Sequence, residues 1–333
     1  METIRTPDDR FTDLADYPFA PNYISVDDTE GGQLQIHYVD EGDGELLLCL
    51  HGQPTWSYLY RKMIPVFVEA GYRVIAPDLV GFGKSDKPTK RDDYTYANHV
   101  HWLNGFVKGL DLNDITMVCQ DWGGLIGLRV LTENLERFAR VVAANTGLPD
   151  AKNIPDEMAP AMHAMYESIP ALPPAEMGAK LRENENGAGF MYWIKYCAEY
   201  PDMVVSEVVS LSALGGTLTD EQKRAYDAPF PSDEYMQGAR QFPSLVPIYP
   251  DGPAIAANRK AWQVLGEFEK PFLTAFSDSD PVTAGGFKRF QEEVPGAKNQ
   301  NHATIENAGH FLQEDAGPEF ADRVIRFMQD NAI

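Results

Sequence analysis

The residues best placed to do chemistry in this chain lie in Gln120-Asp121-Trp122-Gly123-Gly124. An apolar, β-prone run at 115–118 leads in and a helical pattern leaves from Trp122, so the segment reads as strand, sharp turn and helix. Such a turn strains its apex residue, lifts the side chain above the sheet and sets backbone N–H groups beside it. The apex here is Asp121. A serine in that position would need a base before it could attack, whereas a carboxylate is already an anion. Two further groups follow later strand-like runs: a carboxylate in Ser277-Asp278-Ser279-Asp280-Pro281, where Asp278 and Asp280 both qualify, and His310 after Asn307-Ala308-Gly309. A histidine that takes a proton from water, and an acid that orients it, would complete a nucleophile, acid and base.

Three groups so far apart need a scaffold to bring them together. Segments 22–26 and 33–39 alternate apolar and polar residues about Asp28-Thr29-Glu30-Gly31-Gly32, which predicts an antiparallel hairpin. The run 46–50 is continuously apolar, as in a strand covered on both faces, and ends in His51-Gly52-Gln53-Pro54. A helix is expected over 57–70, a strand over 73–76, a helix over 95–110 and, past the elbow, a strand over 141–145. This alternation predicts an α/β fold with a mostly parallel, doubly wound sheet, whose sites gather at the carboxyl ends of strands. Beyond Gly147 the composition turns to Pro, Met, Ala and aromatics with helical periodicity. A helical cap at 150–237 is therefore expected, inserted into a core of 1–149 and 238–333. Strands over 271–276 and 301–306 resume the sheet, and a helix over 314–331 closes it.

The 333 residues include 28 Lys and Arg against 50 Asp and Glu, a net charge of −22. That balance argues against nucleic acid and anionic membranes as partners. Cys49, Cys119 and Cys197 show no CxxC spacing and sit in apolar or aromatic surroundings, as free thiols of a reducing compartment do. Residues 1–10 lack the apolar stretch of a signal peptide and no run is long enough to span a bilayer, so a soluble cytoplasmic protein is expected. His99 and His101 belong to no HExxH-like ligand set, and Gly81-Phe82-Gly83 does not continue into a dinucleotide fingerprint. Neither a metal nor another cofactor is expected.

The order Asp121, acid, His310 is that of the α/β hydrolases. Over nearly its whole length the sequence resembles the haloalkane dehalogenases, in the subfamily whose acid follows the late strand. The resemblance is carried by His51-Gly52-Gln53-Pro54-Thr55-Trp56-Ser57-Tyr58, by the elbow, by Gly189-Phe190-Met191-Tyr192-Trp193, by Ala228-Pro229-Phe230-Pro231 and by Gly309-His310-Phe311-Leu312-Gln313-Glu314. It implies an α/β-hydrolase fold and hydrolysis of a haloalkane to alcohol, halide and proton. Asp121 would then be the nucleophile, His310 the base that activates water, and Asp280, immediately before Pro281, the acid in preference to Asp278. Trp122 and Trp193 would bind halide, the backbone N–H groups of Gln53 and Trp122 would form the oxyanion hole, and Phe190 and Phe230 would line the pocket. The physics agrees: a departing halide needs donors in a nearly dry pocket, and an indole N–H donates without accepting.

The nearest alternative is an epoxide hydrolase, which also forms an ester on an elbow aspartate but needs hydroxyl donors such as Tyr166, Tyr192, Tyr196 or Tyr200. Fluoroacetate dehalogenases carry arginines where this elbow has Trp122 and Gly124. A second dehalogenase subfamily places its acid after the strand ending near Asn145 and an Asn where Gln53 stands; both differ here. A non-enzymatic binding protein on the same fold leaves the ordered triad without a purpose.

Overall fold

A computed structural model describes residues 1–214 and 218–333, and among these eight strands form the central sheet. They are β1 (Asn22–Asp27), β2 (Gln33–Glu41), β3 (Leu46–Leu50), β4 (Arg73–Pro77), β5 (Ile115–Gln120), β6 (Phe138–Ala144), β7 (Phe272–Ser277) and β8 (Ala303–Ile305). Their spatial order is β8-β7-β6-β5-β3-β4-β2-β1. β2 runs antiparallel to both β1 and β4, and every other neighbouring pair is parallel. All residues of β3, β5 and β6 are buried, which is why these strands read as continuous apolar runs. β1 alternates more exposed with less exposed positions, as an edge strand with one wetted face does.

Strand order reverses at β3, which lies between β4 and β5. Loops leaving such a point diverge to opposite sides and open a crevice above the sheet. Because β3 and β5 are neighbours, with Leu50 opposite Cys119, the His51 loop and the elbow emerge side by side.

Helices α1 (Ile64–Glu69), α2 (Tyr96–Gly109) and α3 (Trp122–Glu133) belong to the first half of the chain. Between β6 and β7 come α4 (Ala159–Ser168), α5 (Pro174–Glu183), α6 (Gly189–Glu199), α7 (Val205–Ser212), α8 (Asp220–Asp227), α9 (Gln237–Gln241) and α10 (Ile255–Leu265). α11 (Phe287–Glu293) and α12 (Leu312–Asp330) complete the chain. α10 packs on α3, and its Trp262 indole donates to Leu148 O at 2.7 Å. Within the expected cap segment, residues 215–217 lie outside the described residues.

The single helix expected over 57–70 is broken into a 3-10 turn, Ser57–Tyr60, and α1. Pro65 occupies the first turn of α1, where its missing N–H costs nothing; deeper in a longer helix it would remove a hydrogen bond and clash with the preceding turn. α10, α11 and a small antiparallel pair between Thr3–Ile4 and Lys87–Pro88 add to the elements expected from sequence.

One buried ionic cluster ties distant parts of the chain. Arg61 reaches Glu314 through two N–H donors at 2.7 and 2.8 Å, while Lys62 Nζ and Tyr226 Oη donate to the same carboxylate at 2.7 and 2.6 Å. Burial alone would raise the pKa of Glu314, but Arg61 and then Lys62 reverse this and hold it at about 2.

Candidate active site

The elbow has the geometry its sequence predicts. Asp121 follows the last residue of β5 and precedes the first of α3, at φ 50° and ψ −127°, a region that non-glycine residues seldom enter. Its N–H donates to Asn145 O at 3.0 Å, and its carbonyl accepts from Thr146 Oγ1 at 2.7 Å and from Gly124 N at 2.9 Å. Glycines make room for this turn: a Cβ on Gly52 would strike the Asp121 side chain, one on Gly123 the backbone of β3, and one on Gly124 the Thr146 side chain.

The two carboxylate oxygens of Asp121 are differentiated. Oδ1 accepts the Gln53 backbone N–H at 2.7 Å, whereas Oδ2 faces His310 Nε2 at 3.5 Å. The Gln53 side chain turns away and donates to Ala239 O at 2.8 Å, so only its backbone serves the carboxylate. No hydrogen bond joins the Trp122 N–H, the first of α3, to Asp121. On its other side His310 Nδ1 meets Asp280 Oδ1 at 3.0 Å. Asp280 is fixed in turn by the Val282 N–H on Oδ1 at 2.8 Å, and by the Thr283 N–H at 3.1 Å and Thr283 hydroxyl on Oδ2. Asp278 is engaged elsewhere, accepting from the N–H groups of Asn307 and Ala308, so Asp280 is the carboxylate that reaches the histidine.

Above these groups lies a cavity of about 460 Å³, lined among others by Asp121, His310, Trp122, Trp193 and Phe190. Trp56 and Trp262 satisfy their indole N–H groups on Ala225 O and Leu148 O. The indole N–H groups of Trp122 and Trp193 have no protein acceptor among the described residues, and Trp102 is buried in α2. Phe230 is a correction: it does not line the cavity. Its ring packs edge-on against Phe82, which the loop after β4 carries inward onto His51 and Phe242. Phe242, which the sequence did not single out, packs its ring against Trp122 at 4.7 Å between centroids. No tyrosine is among the described residues lining the cavity, so Tyr166, Tyr192, Tyr196 and Tyr200 are not among its hydroxyl groups.

Comparison with known proteins agrees with this geometry. Residues 45–317 match the family model for the alpha/beta hydrolase fold. A haloalkane dehalogenase of Psychrobacter cryohalolentis is 48% identical, the match covering 99% of each chain, and one of Mycobacterium marinum is 45% identical over 98% of this chain and 99% of its own. The chain belongs to the haloalkane dehalogenases. Among solved structures, the tetrameric haloalkane dehalogenase DpaA from Paraglaciecola agarilytica NO2 superposes with a TM-score of 0.77 at 33% identity, covering 97% of both chains. The haloalkane dehalogenase DatA from Agrobacterium tumefaciens C58 gives 0.69 at 25% identity, covering 98% of this chain and all of its own, 100%.

The charges of this dehalogenase follow from the contacts. Burial would lower the pKa of His310, but Asp280 and then Asp121 outweigh it and raise the value to about 10. Burial works against Asp280 as well, and the facing imidazolium brings its pKa below the usual carboxylate value. His51 is a brace for the first loop: its Nε2 accepts the Leu79 N–H at 2.9 Å and its Nδ1 faces Gly52 O at 2.9 Å, with burial lowering its pKa.

Two buried amides were given no place in the site by the sequence reading. Asn145 holds the histidine loop, donating to Gly309 O at 2.9 Å and His310 O at 3.0 Å while accepting from Ser277 N at 2.9 Å. Gln120 donates to His310 O at 3.1 Å and lies 3.2 Å from His310 Nε2, its own Oε1 left without a partner among the described residues. The one sequence signal was an amide at the polar end of each apolar strand. Among the described residues no cluster of His, Cys, Asp and Glu could hold a metal, and no helix is long and apolar enough to cross a membrane.

Proposed function

We propose that the enzyme cleaves the carbon–halogen bond in two steps through an ester on Asp121. The observation that carries this reading is the division of labour between the two oxygens of Asp121. Oδ1 is occupied by the Gln53 N–H, which leaves Oδ2 to attack the halogen-bearing carbon in line. The halide departs with the bonding pair towards the indole N–H groups of Trp122 and Trp193, donors that developing negative charge strengthens. Phe190 contributes an apolar wall. Residues 150–237 act as the cap that keeps the cavity dry, over a core of 1–149 and 238–333.

Alkylation neutralises Asp121, and that changes His310. Two of the influences that raise its pKa come from the Asp121 carboxylate. Once these vanish, the imidazolium gives up its proton and becomes a base. His310 Nε2 then takes a proton from water as the water oxygen attacks Cγ of Asp121, while Asp280 stabilises the returning imidazolium. The oxyanion forms on Oδ1, already at the Gln53 N–H, and the Trp122 N–H is the second donor. Collapse releases the alcohol and restores the carboxylate. One water is consumed, and one halide and one proton leave per turnover, so the base is switched on by the step that precedes its use.

The decisive experiment exposes wild-type and His310→Gln protein to 1,2-dibromoethane. Wild type should release bromide continuously, and the variant should release it once and gain the mass of one bromoethyl group on Asp121. A variant that releases no bromide and carries no adduct would overturn the two-step scheme.

A further inference from the structure

We propose that Arg182 recognises an anionic end of the substrate, so that the cavity accepts long haloalkanes bearing a carboxylate distal to the halogen in preference to neutral chains of equal length. The proposal rests on the dehalogenase reading above and adds the substrate class.

Arg182 lies in the last turn of α5 and lines the cavity that holds Asp121, His310 and Trp193. It is the one Lys or Arg among the described residues to do so. The chain has 50 acidic residues to 28 basic ones, and several cations of the helices between β6 and β7 are paired. Lys180 pairs with Glu183 at 2.9 Å, Lys195 with Glu199 at 2.8 Å and Arg240 with Asp233 at 2.6 Å. Arg182 makes no ion pair or hydrogen bond with any described residue.

A cation at a helix C-terminus is favoured by the helix dipole, but that leaves its direction unexplained. One turn earlier stands Gly178, a residue that weakens a helix interior and that also lines the cavity. A Cβ there would sit 3.5 Å from Arg182 Nη1. The guanidinium therefore lies back along the bare face of its own helix, at the open rim of the cavity, where Arg182 is exposed to solvent. The rest of the cavity lining is largely apolar, including Leu181, Leu211, Val246 and Ile248. An uncharged alkyl chain has no use for a cation in that wall. A carboxylate does, because the planar guanidinium offers it two parallel N–H donors. The halide end is served by the indoles, and a carboxylate close to Asp121 would be repelled, so only chains long enough to separate the two ends should benefit.

The test compares kcat/KM for ω-bromoalkanoates, from butanoate to decanoate, with that for 1-bromoalkanes of equal chain length, in wild type, Arg182→Gln, Arg182→Lys and Arg182→Glu. At the best-fitting length the acid-to-neutral ratio should fall by about two- to fivefold in Arg182→Gln, chiefly through KM, as expected for one solvent-exposed charge-assisted pair. Lysine should restore part of the ratio, glutamate should depress it further, and added salt should lower it in wild type. An Arg182→Gln ratio equal to that of wild type at every length would overturn the proposal. So would an unchanged ratio with altered bromide release or affinity by tryptophan fluorescence, which would assign the guanidinium to the departing halide. If wild type released no bromide from the neutral bromoalkanes, the dehalogenase reading itself would fall, and the proposal with it.

Discussion

Replacing Asp280 by Asn removes a charge without changing the shape of the side chain, and the structure gives the size of the effect. The carboxylate stands 3.0 Å from His310 Nδ1 and is almost wholly buried. At an effective dielectric of about 20, opposite charges at that separation attract by about 5 kcal/mol. An amide oxygen keeps part of this as a hydrogen bond, leaving a loss of about 3 kcal/mol in any step that forms the imidazolium, or roughly two orders of magnitude in rate. A second penalty comes from the amide NH₂. On the Oδ2 side it opposes the N–H of Thr283, and on the Oδ1 side it faces His310 and forces the ring into the tautomer with Nε2 protonated. The total loss should therefore lie between about 10²- and 10⁴-fold. It should fall on ester hydrolysis alone, since alkylation uses Oδ2 of Asp121 and the indoles. Rapid-quench measurement should show a bromide burst stoichiometric with enzyme and close to the wild-type rate, followed by a slow steady state. An equal loss in burst and steady state would refute the argument, and so would no loss.

Three other outcomes are expected. By NMR the His310 ring should titrate near the value of about 10 in wild type and distinctly lower in Asp121→Asn, because the uncharged amide withdraws the influence that alkylation also withdraws; equal titration in both would break the proposed link between the steps. Trp193→Phe deletes one N–H donor to an anion and should weaken bromide binding, read by tryptophan fluorescence, by roughly tenfold or more; an unchanged affinity would remove Trp193 from the halide site. Glu314→Gln should destabilise the fold at neutral pH by about 3 kcal/mol in denaturant titrations, from a pKa held at about 2 against an ordinary value of 4.5. Because this folded-state pKa is depressed, the stabilisation is complete above the unfolded value and lost as pH falls from 4.5 through 2, so wild type and variant should converge in acid.

The elbow was legible because its signals are local: an apolar strand, a charged apex and two glycines in a row admit few other structures. The choice between Asp278 and Asp280 was harder, since both occupy one polar loop. What separates them is where each side chain finds its donors, Asn307 and Ala308 for one, His310 for the other, and that depends on a turn and on a strand paired from far along the chain. Phe230 was misplaced for the opposite reason. A motif gives a position in the sequence, but whether a ring faces the cavity depends on its packing partners, here Phe82, with which Phe230 makes an edge-on contact. Ile255, Asn258, Ala261, Trp262 and Leu265 are buried at helical spacing in α10, but Asn258 in the middle of that stripe breaks the apolar pattern by which a sequence announces a helix. Gln120 escaped because an amide at the end of a buried strand is as easily a strand terminator as a partner of the histidine. Its role is set by a residue 190 positions away.

The glycines packed around Asp121 have a consequence for anyone seeking to alter this molecule by random mutagenesis. Gly52, Gly123 and Gly124 each face atoms that a methyl group would overlap, two of them backbone or nucleophile, so nearly every codon change there should yield an inactive clone. The far wall, where Leu181, Leu211 and Leu214 border the cavity, is side chain on helix or loop, and Leu211 and Leu214 retain 40% and 53% of their surface. A library diversified at those positions and silent at the elbow would spend its variants where change can survive. The floor of the site is thus a fixed inheritance, and the roof is where new substrates can be learned.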